Sequence, residues 1–500
     1  MLKKIRTIAA SVVLTVMTLL FLDFTGVLHP WFGWLANIQL VPAILAVNVI
    51  ALIFLVLLTF FFGRIYCSAI CPLGIVQDGI SNISGRRKGY KDRFRFSKAV
   101  SWLRYSIFAL FVVALLVGAS VIVSLLDPYA GFGRIASDLL APIYRTGNNI
   151  LASLSESLNS YVFYSVDVWI KSKVTLIVAV LTVEVVGVLA WLHGRTYCNT
   201  ICPVGTLLGF ISRFSFYKPA FDATKCTECG MCEKGCKASC LDSAHKAIDY
   251  SRCVNCFNCI ESCKFGAVNF VQAYGKTKES HPEVADGSSG VARRNALTIA
   301  WGILAARTLK AQQISLVNLD GGLAELQDKK VPVRKMSVVC PGAKGLDNFT
   351  KNCSACQLCV SSCPNNVLRP SSDLATLMQP EMSFERGYCR PECVECSLVC
   401  PTNSIQKITP QEKTAISIGH VVWIRDNCVV VRDKLQCNSC QRRCPTEAIS
   451  LVVDPELDGK LKIPAIDNGK CTGCGACEYY CPARPFSAIF VEGNVRHHTI

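Results

Sequence analysis

A chain of 500 residues with 30 cysteines, a net charge of +16 and a mean hydropathy of +0.35 is too apolar for an ordinary soluble protein. Its length excludes the small secreted disulfide scaffolds, and its cysteines recur in closely spaced triplets, not in the two distant C-x2-C pairs of structural zinc sites. No C-x-x-C-H, dinucleotide glycine fingerprint or Walker loop occurs, which leaves covalent c-type haem and nucleotide chemistry without support.

The chain starts basic, Lys3-Lys4-Ile5-Arg6, and four apolar runs follow, about Thr7 to Leu28, Pro42 to Phe62, Trp102 to Leu126 and Val174 to Leu192. Each is close to the ~20 residues that cross a bilayer's hydrocarbon. The first lacks the small-residue exit of a cleaved signal peptide and reads as a retained span. Between the second and third runs lie Arg64, Arg86, Arg87, Lys88, Lys91, Arg93, Arg95 and Lys98, whereas the segment 127–173 is nearly charge-balanced. Positive charge marks the cytoplasmic side. The expectation is a four-helix transmembrane bundle over residues 1–212 with both ends in the cytoplasm. Its basic charge then belongs to lipid headgroups, not to nucleic acid. Glu184, inside the fourth run, is the candidate for proton handling, with a carboxyl paired inside the bundle as the alternative. His193 reads as a residue at headgroup level.

Two stretches repeat at the ends of the second and fourth runs. Residues 63–74 read GRIYCSAICPLG and residues 194–205 read GRTYCNTICPVG, eight of twelve positions being the same. Together they offer four thiolates, Cys67, Cys71, Cys198 and Cys202, enough for one metal cluster shared across the bundle. A thiol–disulfide couple or two small-residue helix contacts are the alternatives, and a cytoplasmic location disfavours a standing disulfide.

From Cys226 to Cys263 the chain spells C-x2-C-x2-C-x3-C twice, the run by which bacterial ferredoxins hold two [4Fe–4S] cubanes. Three close cysteines wrap three corners of a cubane, and the fourth ligand comes from the other motif. This assigns Cys226, Cys229, Cys232 and Cys263 to one cluster, and Cys253, Cys256, Cys259 and Cys236 to the other. Cys240, four residues after Cys236, leaves a choice of ligand, and Cys236 has the standard spacing. Over residues 1–275, the order of spans, paired C-x3-C-P motifs and two-cluster ferredoxin resembles the membrane ferredoxins of the NapH/MauN type. That resemblance implies a quinol-linked electron carrier in a bacterial cytoplasmic membrane. One departure is that Lys237 and Lys264 stand where proline usually follows the fourth cysteine.

Residues 276–339 read as a linker, polar and glycine-rich at its start. Within it, Arg293-Arg294 precedes the short apolar run 299–306, which looks like a signal for exporting folded proteins. A buried helix is the alternative, and the run adds a fifth span if it inserts. Residues 340–500 carry four more cysteine quartets, each ending in Cys-Pro. With fourth ligands exchanged between neighbours they group as Cys353, Cys356, Cys359 with Cys400; Cys389, Cys393, Cys396 with Cys363; Cys428, Cys437, Cys440 with Cys481; and Cys471, Cys474, Cys477 with Cys444. The Pro341-Gly342-Ala343 lead-in, the looped third quartet and the CTGCGACEYYCP ending resemble the NapG/MauM ferredoxin-type carriers. The whole chain thus resembles a fusion of the two subunits.

The expected fold is an α-helical transmembrane bundle followed by a two-cluster α+β ferredoxin-like module at 213–275 and a four-cluster polyferredoxin domain at 340–500. Six quartets use 24 cysteines and the membrane pairs four, leaving Cys240 and Cys340 spare. The expected cofactors are six [4Fe–4S] clusters, or seven if the membrane cysteines share one, with quinol as a substrate of the resembled family. The leading function is an electron relay between the quinol pool or a cytoplasmic donor and a redox partner protein. A quinol-oxidising subunit with its own site and a cluster-stapled scaffold for a reductase are the alternatives. The first ferredoxin is expected in the cytoplasm, and the last domain outside if the export signal acts.

Overall fold

The computed structural model describes residues 1–85, 94–160, 162–274, 327–457 and 461–500. The twin arginine, the apolar run 299–306 and five of the loop's basic residues, Arg86, Arg87, Lys88, Lys91 and Arg93, lie outside the described residues. The principal helices are α1 (Leu2–Leu22), α2 (Val49–Phe62), α3 (Pro72–Ser84), α4 (Ser101–Val117), α5 (Pro128–Ile135), α6 (Ala141–Ser157), α7 (Lys173–His193) and α8 (Pro203–Ser212). Among the described residues strands are few and pair only in two-stranded antiparallel ladders.

The expectation of four uninterrupted spans is corrected. Among the described residues only α1 and α7 are long and apolar enough to cross a membrane. The first run stops at Leu22 because the Asp23 carboxylate accepts the amides of Thr25, Gly26 and Leu28 and folds the chain back. The second is broken after Leu45: Val47 turns left-handed, φ 51°, and the Asn48 side chain caps α2 by accepting the Ala51 amide. The third ends at Gly118, φ 79°, the left-handed stop open to glycine, before a short helix Ser120–Leu126. Local hydrogen bonding therefore ends helices where the apolar composition runs on.

Each half of the internal repeat forms a hairpin. After α2 a short helix Ile65–Ala69 leads into α3, and after α7 a π-helical turn Tyr197–Ile201 leads into α8. Proline begins both α3 and α8, in the first turn where its missing N–H is harmless. The hairpins exchange partners, α3 packing on α7 and α8 on α2. The paired cysteines lie buried in the core between them.

Two modules cap opposite ends of this helical unit. The first, 213–274, closes by pairing β1 (Tyr217–Phe221) with β2 (Val268–Gln272), Tyr217 opposite Gln272. It meets the start of α1 through Lys3 and Glu261, the end of α2 through Asn255 Nδ2 to Phe62 O (2.5 Å), and the start of α4 through Arg104 to Ser251. At the end of α7, the Arg195 amide donates to Lys237 O at 2.9 Å. The second module, 327–500, meets the other ends of those helices. His29 Nε2 lies 2.9 Å from Ser362 Oγ just after α1, and Lys171 Nζ donates to Val360 O just before α7. Lys351 packs beside Gly118 at the end of α4. Residues 327–339, at the end of the expected linker, are packed on this module, with Lys329 donating to the Glu478 and Tyr479 carbonyls and Arg334 paired to Glu478. Its last ladder pairs β3 (Ile416–Trp423) with β4 (Ile489–Thr499).

Candidate iron–sulfur sites

None of the 30 cysteines is paired in a disulfide. Their loops share a backbone pattern that spacing alone does not reveal. In the four ordinary runs the second residue after the first cysteine is left-handed, namely Glu228, Asn255, Ala355 and Gly473. So is the residue after the second cysteine, namely Gly230, Phe257, Gln357 and Gly475. Three residues past the fourth cysteine the chain turns left-handed again at Ser239, Gly266, Asn366, Asn403 and Glu447, with Cys481 the exception. Alternating right- and left-handed residues aim successive N–H groups inward as a nest, the concavity that suits an anion or an iron–sulfur cluster. Some of those amides reach sulfur, Ala267 N to Cys263 and Ala448 N to Cys444 at 3.2 Å and Ala355 N to Cys353 at 3.4 Å, and outside the nests Ala488 N reaches Cys481 at 3.4 Å.

The quartets named from the sequence converge in space. Cys226, Cys229, Cys232 and Cys263 line one cavity, and Cys236, Cys253, Cys256 and Cys259 line a second. Cys353, Cys356, Cys359 and Cys400 lie within electrostatic reach of one another, as do Cys363 with Cys389, Cys393 and Cys396. Cys440 faces Cys428, Cys437 and Cys481, while Cys444 joins Cys471, Cys474 and Cys477 around a third cavity. Among the described residues no three His, Cys, Asp or Glu side chains converge on a single metal ion. Ligands at the corners of a cubane stand farther apart than those of one zinc. Burial pushes the bare thiols up, Cys356 and Cys389 to about 12 and Cys471 to about 11. A thiolate there needs a positive partner, which iron supplies. The residues therefore fit the cluster.

Cys240 and Cys340, left over in the sequence, are not remote. Cys240 Sγ lies 3.6 Å from Cys236 Sγ and also contacts Cys253, and Cys340 contacts Cys396. The hydrogen bond from Cys240 draws the Cys236 thiol down.

Between the modules, Cys67, Cys71, Cys198 and Cys202 are 3–4 % exposed, and each of the six pairs they form is close enough for charges to interact. Gly205 N donates to Cys202 Sγ at 3.4 Å and Gln77 Nε2 to Cys198 Sγ at 3.3 Å. Sites follow one another through the molecule. On one side, Cys256 lies near Asp78, which binds Arg195, and Arg195 Nη1 donates to Cys67 O at 2.7 Å. On the other side, buried Tyr197 faces Cys198 and Cys202, and Tyr129 faces Cys356, Cys359 and Cys400. Farther on, Cys389 N donates to Cys474 O at 2.9 Å, and Cys477 lies near Cys440. Glu184 and His193 take no part: both are exposed on the outside of α7.

Comparison with known proteins finds iron–sulfur domains in this chain. A family model described as a 4Fe-4S binding domain matches twice, over residues 44–91 and 175–220, the segments holding the two repeated cysteine pairs. A 4Fe-4S dicluster domain matches residues 435–484. The methylamine utilization ferredoxin-type protein MauM of Methylophilus methylotrophus is 36% identical over 157 residues, 30% of this chain and 69% of the relative. MauM of Paracoccus denitrificans is 30% identical over 201 residues, 39% of this chain and 85% of the relative. The ferredoxin-type protein NapG of Escherichia coli K12 is 29% identical over 206 residues, 37% of this chain and 87% of the relative. No solved structure matches. The chain is an iron–sulfur polyferredoxin, and it belongs to the family of MauM ferredoxin-type proteins.

Proposed function

We propose that the chain is a membrane-bound electron conduit, a fusion of a NapH/MauN-like membrane unit with a NapG/MauM-like carrier. The observation that carries this is the unbroken succession of cysteine sites from one capping module, through the helical unit, to the other. The six quartets hold one [4Fe–4S] cluster each in the crossed pairing given above, and Cys67, Cys71, Cys198 and Cys202 share a seventh. Bound clusters supply one-electron redox chemistry. The protein's part is to hold them in file, bury them and donate N–H groups to their sulfurs. Outward apolar faces on α1, α2, α4 and α7, such as Ile8, Val12, Ile53, Leu57, Val113 and Leu181, support a lipid setting for the helical unit in a bacterial cytoplasmic membrane. The two modules then lie on opposite sides, and redox partner proteins dock on them. Anaerobically purified protein is expected to carry about 28 iron atoms, four per cubane, most of them reversibly reducible in a potentiometric titration. About 8 iron atoms with zinc in the rest, or redox-silent clusters, refutes the conduit.

A second reading, a quinol-oxidising subunit, is favoured by the polar side chains around one cavity of about 20 Å³, which must widen to admit a quinol head group. The cavity is lined by Ser137, Asp138, Arg145, Trp169, Lys171 and Ser361. Asp138 Oδ2, Arg145 Nε and Trp169 Nε1 are buried there without hydrogen-bond partners, and Lys171 lies near Cys359 and Cys363. Burial lifts the Asp138 carboxyl to about 6, so near neutral pH it is ionised and able to take one of the two protons a hydroquinone loses, the other leaving to solvent; clusters held by the neighbouring quartets would take the two electrons one at a time. Inhibitor-sensitive bleaching by quinol, lost in Asp138→Asn, is the expected result; bleaching unchanged in that variant removes this site.

A further inference from the structure

The two halves of the repeat share an arginine and a glycine as well as their cysteines, and the structure shows why. Arg64 and Arg195 are both fully buried, at 0% exposure. Each reaches across to the other half. Arg64 Nη2 donates to Cys198 O at 3.2 Å, and Arg195 Nη1 to Cys67 O at 2.7 Å. Each also approaches the sulfur of its own half, Arg64 to Cys67 Sγ at 3.9 Å and Arg195 to Cys198 Sγ at 3.7 Å. The glycines leave room for this. A Cβ on Gly74 would stand 2.7 Å from Arg195 Nη1, and one on Gly205 would stand 2.7 Å from Arg64 Nη2.

The pair is symmetric in geometry but not in charge. Arg195 is matched by Asp78, with its Nε 2.9 Å from Oδ1 and its Nη2 2.9 Å from Oδ2. Arg64 donates only to neutral oxygens, Asn199 Oδ1 and Ser251 O at 2.9 Å and Cys198 O, besides the Cys67 sulfur. No carboxylate among the described residues pairs with it. A guanidinium taken out of water needs a counter-charge. The nearest chemistry able to supply one is the four-cysteine site, where four thiolates on a cubane outweigh the positive charge of its core.

We propose that Arg64 is the counter-cation of the cluster shared by Cys67, Cys71, Cys198 and Cys202, and that it sets the midpoint potential of that cluster. Arg195, tied to the Asp78 carboxylate that it shares with Arg6 and Lys237, is a positioning residue that holds the Cys67 loop. The inference rests on the shared-cluster reading above. A cation beside the sulfurs favours the more negative, reduced state, so removing it lowers the potential.

The test uses full-length holoprotein in detergent, with iron per chain and redox titration followed by electron paramagnetic resonance. Cys67→Ser first identifies the signal of the shared cluster; if that variant loses no iron, the shared-cluster reading fails before the arginines are considered. With the signal identified, Arg64→Gln is expected to lower its midpoint potential, Arg64→Lys to restore most of the value, and Arg195→Gln to move it less. Should Arg64→Gln shed the cluster, Arg64→Lys is expected to regain it. An unchanged potential in Arg64→Gln with iron retained, or loss of the cluster in both Arg64 variants, overturns the charge role.

Discussion

Replacing Asp78 by asparagine tests whether the first ferredoxin module is held to the helical unit by buried charge. Asp78 is a single carboxylate between three cations from three parts of the chain. Arg6 Nη1 lies 2.8 Å from it, Arg195 chelates it, and Lys237 Nζ lies at 3.7 Å. The side chains are at most 8 % exposed, so solvent screens little of the interaction. Removing one partner of a buried pair costs about 3–5 kcal/mol, because the remaining charge stays buried. At about 1.4 kcal/mol per factor of ten, the undocked population should rise roughly a hundredfold to a few thousandfold. Tryptic cleavage after Arg252, which is buried in the module against Phe96 of the helical unit, reads that population when opening is fast. Glu261→Gln is the control, since the Lys3–Glu261 pair joins the same two parts but is exposed and worth about 0–1 kcal/mol. Cleavage of Asp78→Asn within tenfold of the parent, or no faster than Glu261→Gln, refutes the reasoning. Burial pushes the Asp78 carboxyl up, but Arg195, Lys237 and Arg6 more than reverse it and hold it well below the carboxylate range. Its contribution is fully present above the unfolded value of about 3.9 and is lost only as pH falls through the lower folded value. Docking should therefore not change between about pH 5 and 8 on this account.

Gly475→Ala is expected to lower the temperature at which visible cluster absorbance is lost, since its Cβ would meet Phe384 Cδ1 at 2.1 Å at a φ of +78°. Gly79→Ala, with nothing within 4 Å of the new Cβ, should leave that temperature unchanged. Cys240→Ser and Cys340→Ser should each retain the parent's iron content, whereas a loss of about four irons would make that cysteine a ligand in place of Cys236 or Cys396. Reporter fusions at Lys335 and after Ile500 are expected to be active outside the cytoplasm; activity only inside at both would place the six clusters of the two modules on one side of the membrane.

The cysteine runs were legible because a cubane is wrapped by residues only three apart, so spacing carries the local geometry. The two modules could be delimited from it, and the repeat at 63–74 and 194–205 announced a paired site. What spacing could not carry was anything decided by a distant partner. The helix breaks at Asp23, Asn48 and Gly118 came from local hydrogen bonds and a left-handed turn inside stretches that hydropathy reads as continuous. The exchange of Arg64 and Arg195 between hairpins needed the packing of α8 on α2 and α3 on α7. Spacing already set Cys240 beside Cys236, but its contact with Cys253, and that of Cys340 with Cys396, join residues farther apart along the chain. A signal was present for the arginines: they match in the repeat as strictly as the cysteines do. Glu184 is exposed on the outside of α7, a direction that hydropathy could not give, since it shows depth along a helix but not which way a side chain faces.

The proposed lending of each fourth cysteine to the neighbouring site has a consequence for how the protein is made. In the proposed pairing neither nest of a pair is complete until both loops have closed, so the first cluster to enter presets a corner for the second. Maturation should then advance two clusters at a time. In iron-starved cells this favours a mixture of fully furnished and empty modules over a population of half-filled ones. A conduit interrupted at one site carries no current, so pairwise filling keeps scarce iron in chains that can still conduct.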